Sequence, residues 1–482
     1  MMRNNKLSLL MFLVVITTIL AACSKKWNEH DQITDPAISN NLFQAISKNT
    51  SLSLFSKLLV KSGYDKIISS SKSYTVWVPT NQALATLDSS IINDSIKLKA
   101  FVGNHIANLA YTTGSDQRVA MINGKYIQFA GNTFDSANIS TPNLYAVNGV
   151  YHIIDKFIPR VDNCWEFVNN NSSFSLFKKA LTDLNYIYFD STLATQIGTD
   201  QLTGNAIWDS TNAKVIRNKF LDNVQNIADE SNQFTLFLLN DNSFNTEFNK
   251  LSPWFITPSI DTMNKLVNSF LIKDLAVKGS YSASQLPDTL LSTSNVKIPI
   301  DKSQIVASYK TSNGYVHVMN KLNIRLTDKF PPIVIEGETP TAFASTDKAA
   351  NTFYRTSRNP VTGLVFKDIL MQNYGWANYY IRYTKTEVPA MKYNVYWVAI
   401  NDYSSNPIWN QTFAIDSNYV PSPAAFTVPV ARNNYNEVFL GQIEILSYRS
   451  KINMYVIGPN STSTTSGNTS ISLDYIKLVP AF

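Results

Sequence analysis

Three segments of this chain occur twice in the same order, so any fold it adopts has to build one module two times. Ser53-Leu54-Phe55-Ser56-Lys57-Leu58-Leu59 recurs as Ser175-Leu176-Phe177-Lys178-Lys179-Ala180-Leu181, with Tyr64 and Tyr186 at equivalent places. Tyr74-Thr75-Val76-Trp77-Val78-Pro79-Thr80-Asn81 recurs as Phe234-Thr235-Leu236-Phe237-Leu238-Leu239-Asn240-Asp241. The closest pair is Asn148-Gly149-Val150-Tyr151-His152-Ile153-Ile154-Asp155-Lys156-Phe157 against Asn313-Gly314-Tyr315-Val316-His317-Val318-Met319-Asn320-Lys321-Leu322. The offset between copies rises from 122 to 160 and then 165 residues, which places an insertion in the second copy between Tyr186 and Gln233, at about 187–232.

Each repeated segment has a direct physical reading. Leu54, Phe55, Leu58 and Leu59 form one apolar helix stripe. Tyr74 to Val78 is an aromatic and β-branched strand, and Pro79-Thr80-Asn81 is a turn able to cap a following helix. Asn148-Gly149 and Asn313-Gly314 supply the positive φ of a tight hairpin turn leading into a strand. The module therefore mixes helices and strands.

These landmarks resemble the fasciclin domain family. Tyr74 to Leu84 resembles its first signature, Phe101-Val102-Gly103-Asn104-His105-Ile106 its middle segment, and Asn148 to Lys156 its closing segment. The resemblance implies an α+β fold and an adhesive, non-catalytic role. It places a first module at 38–160 and a diverged second at 165–328. In the second, Leu239-Asn240 stands where Pro79-Thr80 does, and Asp274 where His105 does.

Ahead of the modules, Leu7 to Leu20 is a 14-residue uncharged run behind a basic start with Arg3 and Lys6. A spanning helix needs about 20 apolar residues, so 1–22 reads as a signal peptide. Leu20-Ala21-Ala22-Cys23 resembles the lipobox of bacterial lipoproteins. That resemblance implies lipid attachment at Cys23, and several acyl chains there make a permanent anchor. The expected location is the cell envelope, at the outer membrane of a Gram-negative bacterium. Residues 23–37 are polar and aperiodic and read as a tether, whose thirteen residues Ser24 to Pro36 reach roughly 45 Å when extended.

Charge excludes a nucleic-acid partner. Without Arg3 and Lys6 the chain keeps 39 basic against 35 acidic residues, with no basic cluster. The second cysteine, Cys164, has no Cys-x-x-Cys or His partner and reads as an inert, half-buried thiol. His152 and His317 share one repeat position on an apolar strand and read as packing groups. His-Glu-x-x-His, Gly-x-Ser-x-Gly and phosphate-cradling glycine patterns do not occur, so catalytic residues, metal and cofactor are all expected to be none.

Phe330-Pro331-Pro332 reads as a linker, after which residues 333–482 become strand after strand: Tyr379 to Tyr383, Tyr393 to Ile400, Phe426 to Val430, Glu437 to Ile445, Ile452 to Ile457 and Ile471 to Leu478. That pattern predicts an all-β sandwich. Ile471 to Pro480 and Phe439-Leu440-Gly441-Gln442-Ile443 resemble strands of galactose-binding-like jelly rolls. The predicted fold is therefore two α+β fasciclin modules followed by an all-β jelly-roll sandwich. Sugar binding requires exposed aromatic faces beside polar groups; Trp376, Trp409, Tyr403 and Asp402, all read as loop residues, are the candidates. Trp397, inside an apolar strand, reads as core. Six triplets, Asp94-Ser95-Ile96, Asp135-Ser136-Ala137, Asp190-Ser191-Thr192, Asp209-Ser210-Thr211, Asp261-Thr262-Met263 and Asp288-Thr289-Leu290, resemble an O-glycosylation motif of some Gram-negative envelope proteins.

Two functions compete. One is adhesion or ligand capture through the fasciclin modules, with a cell-surface protein or polysaccharide as partner and the membrane held through the lipid anchor. The alternative is an accessory glycan-binding lipoprotein of an outer-membrane polysaccharide uptake system, working through the C-terminal sandwich. A hydrolase built on carboxylates of the sandwich is the third and weakest reading.

Overall fold

The strand Tyr74–Pro79 is buried along its whole length, and its alternating side chains serve two cores. Tyr74, Val76 and Val78 join a cluster with Phe55, Leu59 and Phe101, while Trp77 points into a second cluster with Phe129, Phe134 and Ile154. It pairs in parallel with Gly149–Ile154 and antiparallel with Ile106–Asn108. Helices Leu42–Lys48, Ser53–Ser62, Tyr64–Ile68 and Ser95–Gly103 supply the first cluster. The strands Asp116–Ala120, Tyr126–Ala130, Thr133–Phe134 and Ala137–Ala146 complete a seven-stranded sheet and bury the second cluster. The computed structural model describes residues 39–114, 116–209, 211–402, 407–416, 425–465 and 467–482.

By contacts the chain divides into two compact units. One runs to Phe167 and includes Ile227–Gln233 and Lys310–Gly314; the other holds Val168–Asn226, Phe234–Tyr309 and Tyr315–Phe482. Within the first, Lys125 is buried and places its Nζ 2.6 Å from Glu166 and 2.5 Å from Glu230. Arg118 donates to the Glu230 and Ser312 carbonyls at 3.0 and 3.2 Å. These charges bind the two short outlying segments to that unit.

The repeat is visible in a further four-stranded sheet, most of it in the second unit. This sheet runs Ala276–Lys278, Phe234–Leu239, Gly314–Met319, Ile305–Thr311, the same order as Ile106–Asn108, Tyr74–Pro79, Gly149–Ile154, Ala137–Ala146. The register repeats as well: Phe234 faces Lys278 as Tyr74 faces Asn108. One sequence equivalence fails. Tyr64 is buried at the start of a helix, whereas Tyr186 lies in the strand Asn185–Phe189. The insertion therefore begins at the end of the helix Ser175–Thr182, and it folds as two two-stranded ribbons, Asn185–Phe189 with Lys214–Asn218 and Thr195–Thr199 with Ala206–Asp209.

From Ile333 onward the structure is β-sheet, with strands paired antiparallel. One layer orders Ile333–Glu336, Tyr475–Ala481, Lys392–Val398 and Val438–Glu444; another orders Ala342–Phe343, Tyr380–Val388, Arg449–Ile457, Trp409–Ile415 and Ala425–Val430. A third sheet, Thr352–Arg358, Val365–Gln372 and Ser470–Leu473, leads directly into Tyr475–Ala481. Trp397, Tyr393 and Val395 of one layer and Tyr383, Phe413 and Met454 of the other are all buried. The expected linker is not a loose one: Phe330 is buried, lies over Phe270 with ring centroids 4.8 Å apart, and also meets Trp254 and Phe482.

Candidate functional site

The loop Asn373 to Asn378 carries three residues at positive φ, Asn373, Gly375 and Asn378, and is braced from both sides. Asn373 N–H donates to the Thr469 carbonyl at 2.8 Å, and its side chain accepts from Gly467 N–H at 2.9 Å. Asn378 N–H donates to the Pro459 carbonyl at 3.0 Å. Tyr374 is buried beneath, and Trp376 is left 46% exposed at the tip. The Trp376 ring lies 6.0 Å from that of Tyr379, which lines a cavity of about 270 Å³ together with Phe343, Thr346, Lys348 and Tyr354. Tyr354 is itself an exposed aromatic. Tyr379 is itself buried, so the exposed Tyr354 ring and the half-buried Phe343, with the Thr346 hydroxyl and Lys348 ammonium beside them, are what suits a polar ring with apolar faces.

The other sugar candidates lie elsewhere. Trp409 begins the strand Trp409–Ile415 and is only 4% exposed, so it offers no face to a ligand; the loop expectation is corrected. Its polar neighbours misled because Gln411 is a buried strand residue, giving and taking 2.9 Å bonds with the Ser472 backbone. Asp402 accepts from Arg355 Nη1 at 2.7 Å. Arg355 also grips Asp368, and although burial opposes its charge, the two carboxylates outweigh it and hold the guanidinium above its ordinary pKa. Asp402 is thus half of an ion pair. Tyr403 and Cys23 lie outside the described residues.

Carboxylates gather at one further point. Asp474 separates the strands Ser470–Leu473 and Tyr475–Ala481, and burial pushes its carboxyl up to about 7, with Glu336, Asp368 and Glu338 adding to the rise. Among the described residues no group of three His, Cys, Asp or Glu side chains is arranged to hold a metal ion.

The histidines are packing groups. His105 is fully buried; its Nδ1 donates to the Phe101 carbonyl at 3.0 Å and its Nε2 accepts from Ile158 N–H at 3.0 Å, and burial pulls its pKa down to about 4. In the second copy that place belongs to Leu275, whose carbonyl accepts from Phe237 N–H at 2.8 Å as that of His105 accepts from Trp77 N–H at 2.9 Å. The expected equivalence of Asp274 with His105 is thereby corrected by one residue. Asp274 stands where Asn104 does, buried and bonded to Lys329 Nζ at 3.0 Å, while the same ammonium reaches the Phe270 carbonyl at 3.0 Å. His152 and His317 direct Nε2 to the Tyr111 and Tyr281 carbonyls at 3.0 and 2.8 Å, and burial lowers both pKa values. Cys164 is fully buried rather than half-buried, 3.3 Å from Thr311 Oγ1, and burial raises its thiol pKa to about 12.

Of the repeated turns, the sequence showed the forward cap and missed the backward one. Asn81 caps backward, accepting from Leu54 N–H at 2.9 Å, as Asp241 accepts from Leu176 N–H at 3.1 Å. The preceding residue caps forward: Thr80 accepts from Ala83 N–H at 3.1 Å and Asn240 from Ser243 N–H at 2.9 Å. The glycosylation-like triplets also have local roles. Asp94, Asp190 and Asp209 accept the backbone N–H two residues on, at 2.9, 3.0 and 2.9 Å.

A sheet of this order with caps and buried histidines defines an α+β module class, and residues 50–159 match the fasciclin domain. No curated protein matches the chain. Among solved structures, the fasciclin domain pair of the insect cell adhesion molecule fasciclin I is 14% identical, with 59% of this chain and 100% of that one covered and a TM-score of 0.23. A family 35 carbohydrate-binding module from Clostridium thermocellum is 14% identical, covering 32% of this chain and 100% of that one, TM-score 0.21. An insecticidal crystal protein is 16% identical over 37% of this chain, with a TM-score of 0.23, and the match spans only 25% of its own length.

Proposed function

We propose that this chain is a non-catalytic binding protein of the cell envelope, held at a membrane through lipid on Cys23 and adhering to its target through two fasciclin modules. The observation that carries this reading is the fasciclin domain at 50–159. Its burial of His105 and His152, and that of Cys164 and His317 beyond it, leaves these reactive groups for packing. The repeated sheet order and register support a second, diverged module at 165–328. Beads carrying the full chain should be retained by Gram-negative bacterial cells or their extracted matrix. Retention no greater than that of beads carrying an unrelated lipoprotein defeats the proposal. The anchor is tested separately: Cys23→Ser should lose metabolic fatty-acid label and leave the membrane pellet, and a retained label would refute it.

Glycan capture by a galactose-binding-like jelly roll at 333–482, serving an outer-membrane uptake system, is the second reading. The braced, half-exposed Trp376, and separately the cavity lined by the exposed Tyr354, favour it. Titration of the full chain with a glycan panel should find a binder whose affinity falls roughly 10- to 100-fold in Trp376→Ala. A panel without a binder, or an unchanged affinity in the variant, sinks this reading.

A further inference from the structure

The insertion that distinguishes the second copy exposes what folded chains ordinarily hide. Between Asn185 and Asn218, nine large apolar side chains are exposed. On the ribbon of Asn185–Phe189 and Lys214–Asn218, Ile187 faces Ile216 directly across the strands, 72% and 76% exposed, with Phe189 next on the same face. The other ribbon adds Ile197 and Trp208, and its connecting turn lifts Leu202 to 97% exposure.

These ribbons are built structures. Asn218 is buried at the root, where its Nδ2 donates to the Leu181 carbonyl and to Asn185 Oδ1, both at 2.7 Å. Lys219 N–H donates to the Leu184 carbonyl at 3.0 Å. Arg217 lies 4.5 Å over the Tyr188 ring and 2.5 Å from Asp222. Each ribbon is a sheet of only two strands, so both of its outer edges are without a strand neighbour among the described residues. A two-stranded ribbon with an uncovered apolar face is marginal alone and is a template for pairing.

We infer that this ribbon arm is a self-association surface, covered by the same arm of a second copy of this chain packed about a two-fold axis. Three observations select that occupant. A fully exposed large apolar side chain offers roughly 150–250 Å². Tyr188 and Ile207 alternate to the face opposite Ile187 and Trp208, and the other seven, rather more than half exposed, present roughly 800–900 Å² per copy. Two copies then bury about 1,700 Å², the size of a standard protein interface. The unpaired edges call for a partner with a backbone to pair, which a lipid surface lacks. The arm is also nearly neutral: Asp190, Asp200 and Asp209 stand against Lys214 and Arg217, so two arms do not repel and anionic lipid gains little.

The test is sedimentation velocity of the full chain in detergent, compared with Ile187→Lys/Ile216→Asp, an opposite-charge cross-strand pair that keeps the ribbon paired while removing its apolar face. Both side chains point to solvent, so circular dichroism should not change, nor should thermal unfolding at a concentration low enough for the wild type to be monomeric. The wild type should dimerise at micromolar concentration, and the variant should dimerise at least ~100-fold more weakly. A photo-crosslinking residue at position 187 gives an independent reading, with the expected link running to residues 185–218 of a second chain. A monomeric wild type, a dimer indifferent to the two substitutions, or a link to any other segment overturns the inference. So does uptake by phosphatidylcholine vesicles that the double substitution abolishes while no dimer forms.

Discussion

Asn148 stands where three chain segments need one polar partner. It accepts from Leu42 N–H at 2.9 Å and donates to the Ile68 and Ser70 carbonyls at 2.8 and 2.7 Å. Asn313 does the same for Cys164 N–H at 2.9 Å and for the Ile227 and Asp229 carbonyls at 2.9 and 3.0 Å. The sequence made the Asn-Gly pair legible as a turn, but not this side-chain role, because the partners lie far off in sequence. The glycine is equally constrained: a Cβ at Gly149 would sit 1.9 Å from the Tyr74 carbonyl oxygen. Asn148→Leu strands buried backbone groups and should destabilise its unit by about 3 kcal/mol, read by urea denaturation. A loss below about 1 kcal/mol would show that these bonds are dispensable. Asp474 makes a prediction of opposite sign. Its carboxyl is raised from 3.8 to about 7, so its contribution to stability is full at low pH and is lost as pH rises through about 7. Asp474→Asn should gain on the wild type between pH 4 and 8, by a few degrees in Tm at the upper end. A difference in Tm that does not vary with pH would contradict it.

At the scale of elements, a strand was legible where apolar residues alternate and illegible where a buried polar group interrupts them. Lys392–Val398 and Arg449–Ile457 fall on expected segments. Val365–Gln372 does not, because Lys367-Asp368 breaks the pattern; Asp368 is buried and satisfied by Arg355, a partner ten residues and more away. Trp409–Ile415 was hidden by Gln411, whose amide bonds to the Ser472 backbone as a neighbouring strand would. The candidate site divided in the same way. Trp376 was legible as exposed because asparagine and glycine around it mark a positive-φ loop, whereas the equally polar surroundings of Trp409 belong to a strand. The insertion was located by the change in repeat offset, but its two ribbons were not read. Their strands, such as Thr195–Thr199, lack the apolar alternation by which a half-buried strand is recognised.

On the scale of the molecule, two repeats and a sandwich do not translate into three independent bodies. Most of the second repeat and the sandwich share one compact unit, and Phe330 sits in the reason. Its ring packs against Phe270, Trp254, Phe255 and Phe482, while Phe255 also meets Tyr448 at 5.7 Å. Backbone bonds reinforce the join, from Ala390 N–H to the Trp254 carbonyl and from Tyr448 N–H to the Ile256 carbonyl, both 2.8 Å. Proline after Phe330 suggested a break because it ends helices, yet the aromatic residue before it is what the two parts bury together. Phe330→Ala removes a buried aromatic and should cost about 3–5 kcal/mol. If the unit unfolds cooperatively, calorimetry of the full chain will show one transition carrying both the second repeat and the sandwich, displaced downward as a whole in the variant, while the transition of the other unit stays in place. Separate transitions for repeat and sandwich, with the sandwich unmoved by the substitution, would mean that the aromatic contact holds two autonomous domains side by side without coupling their stability.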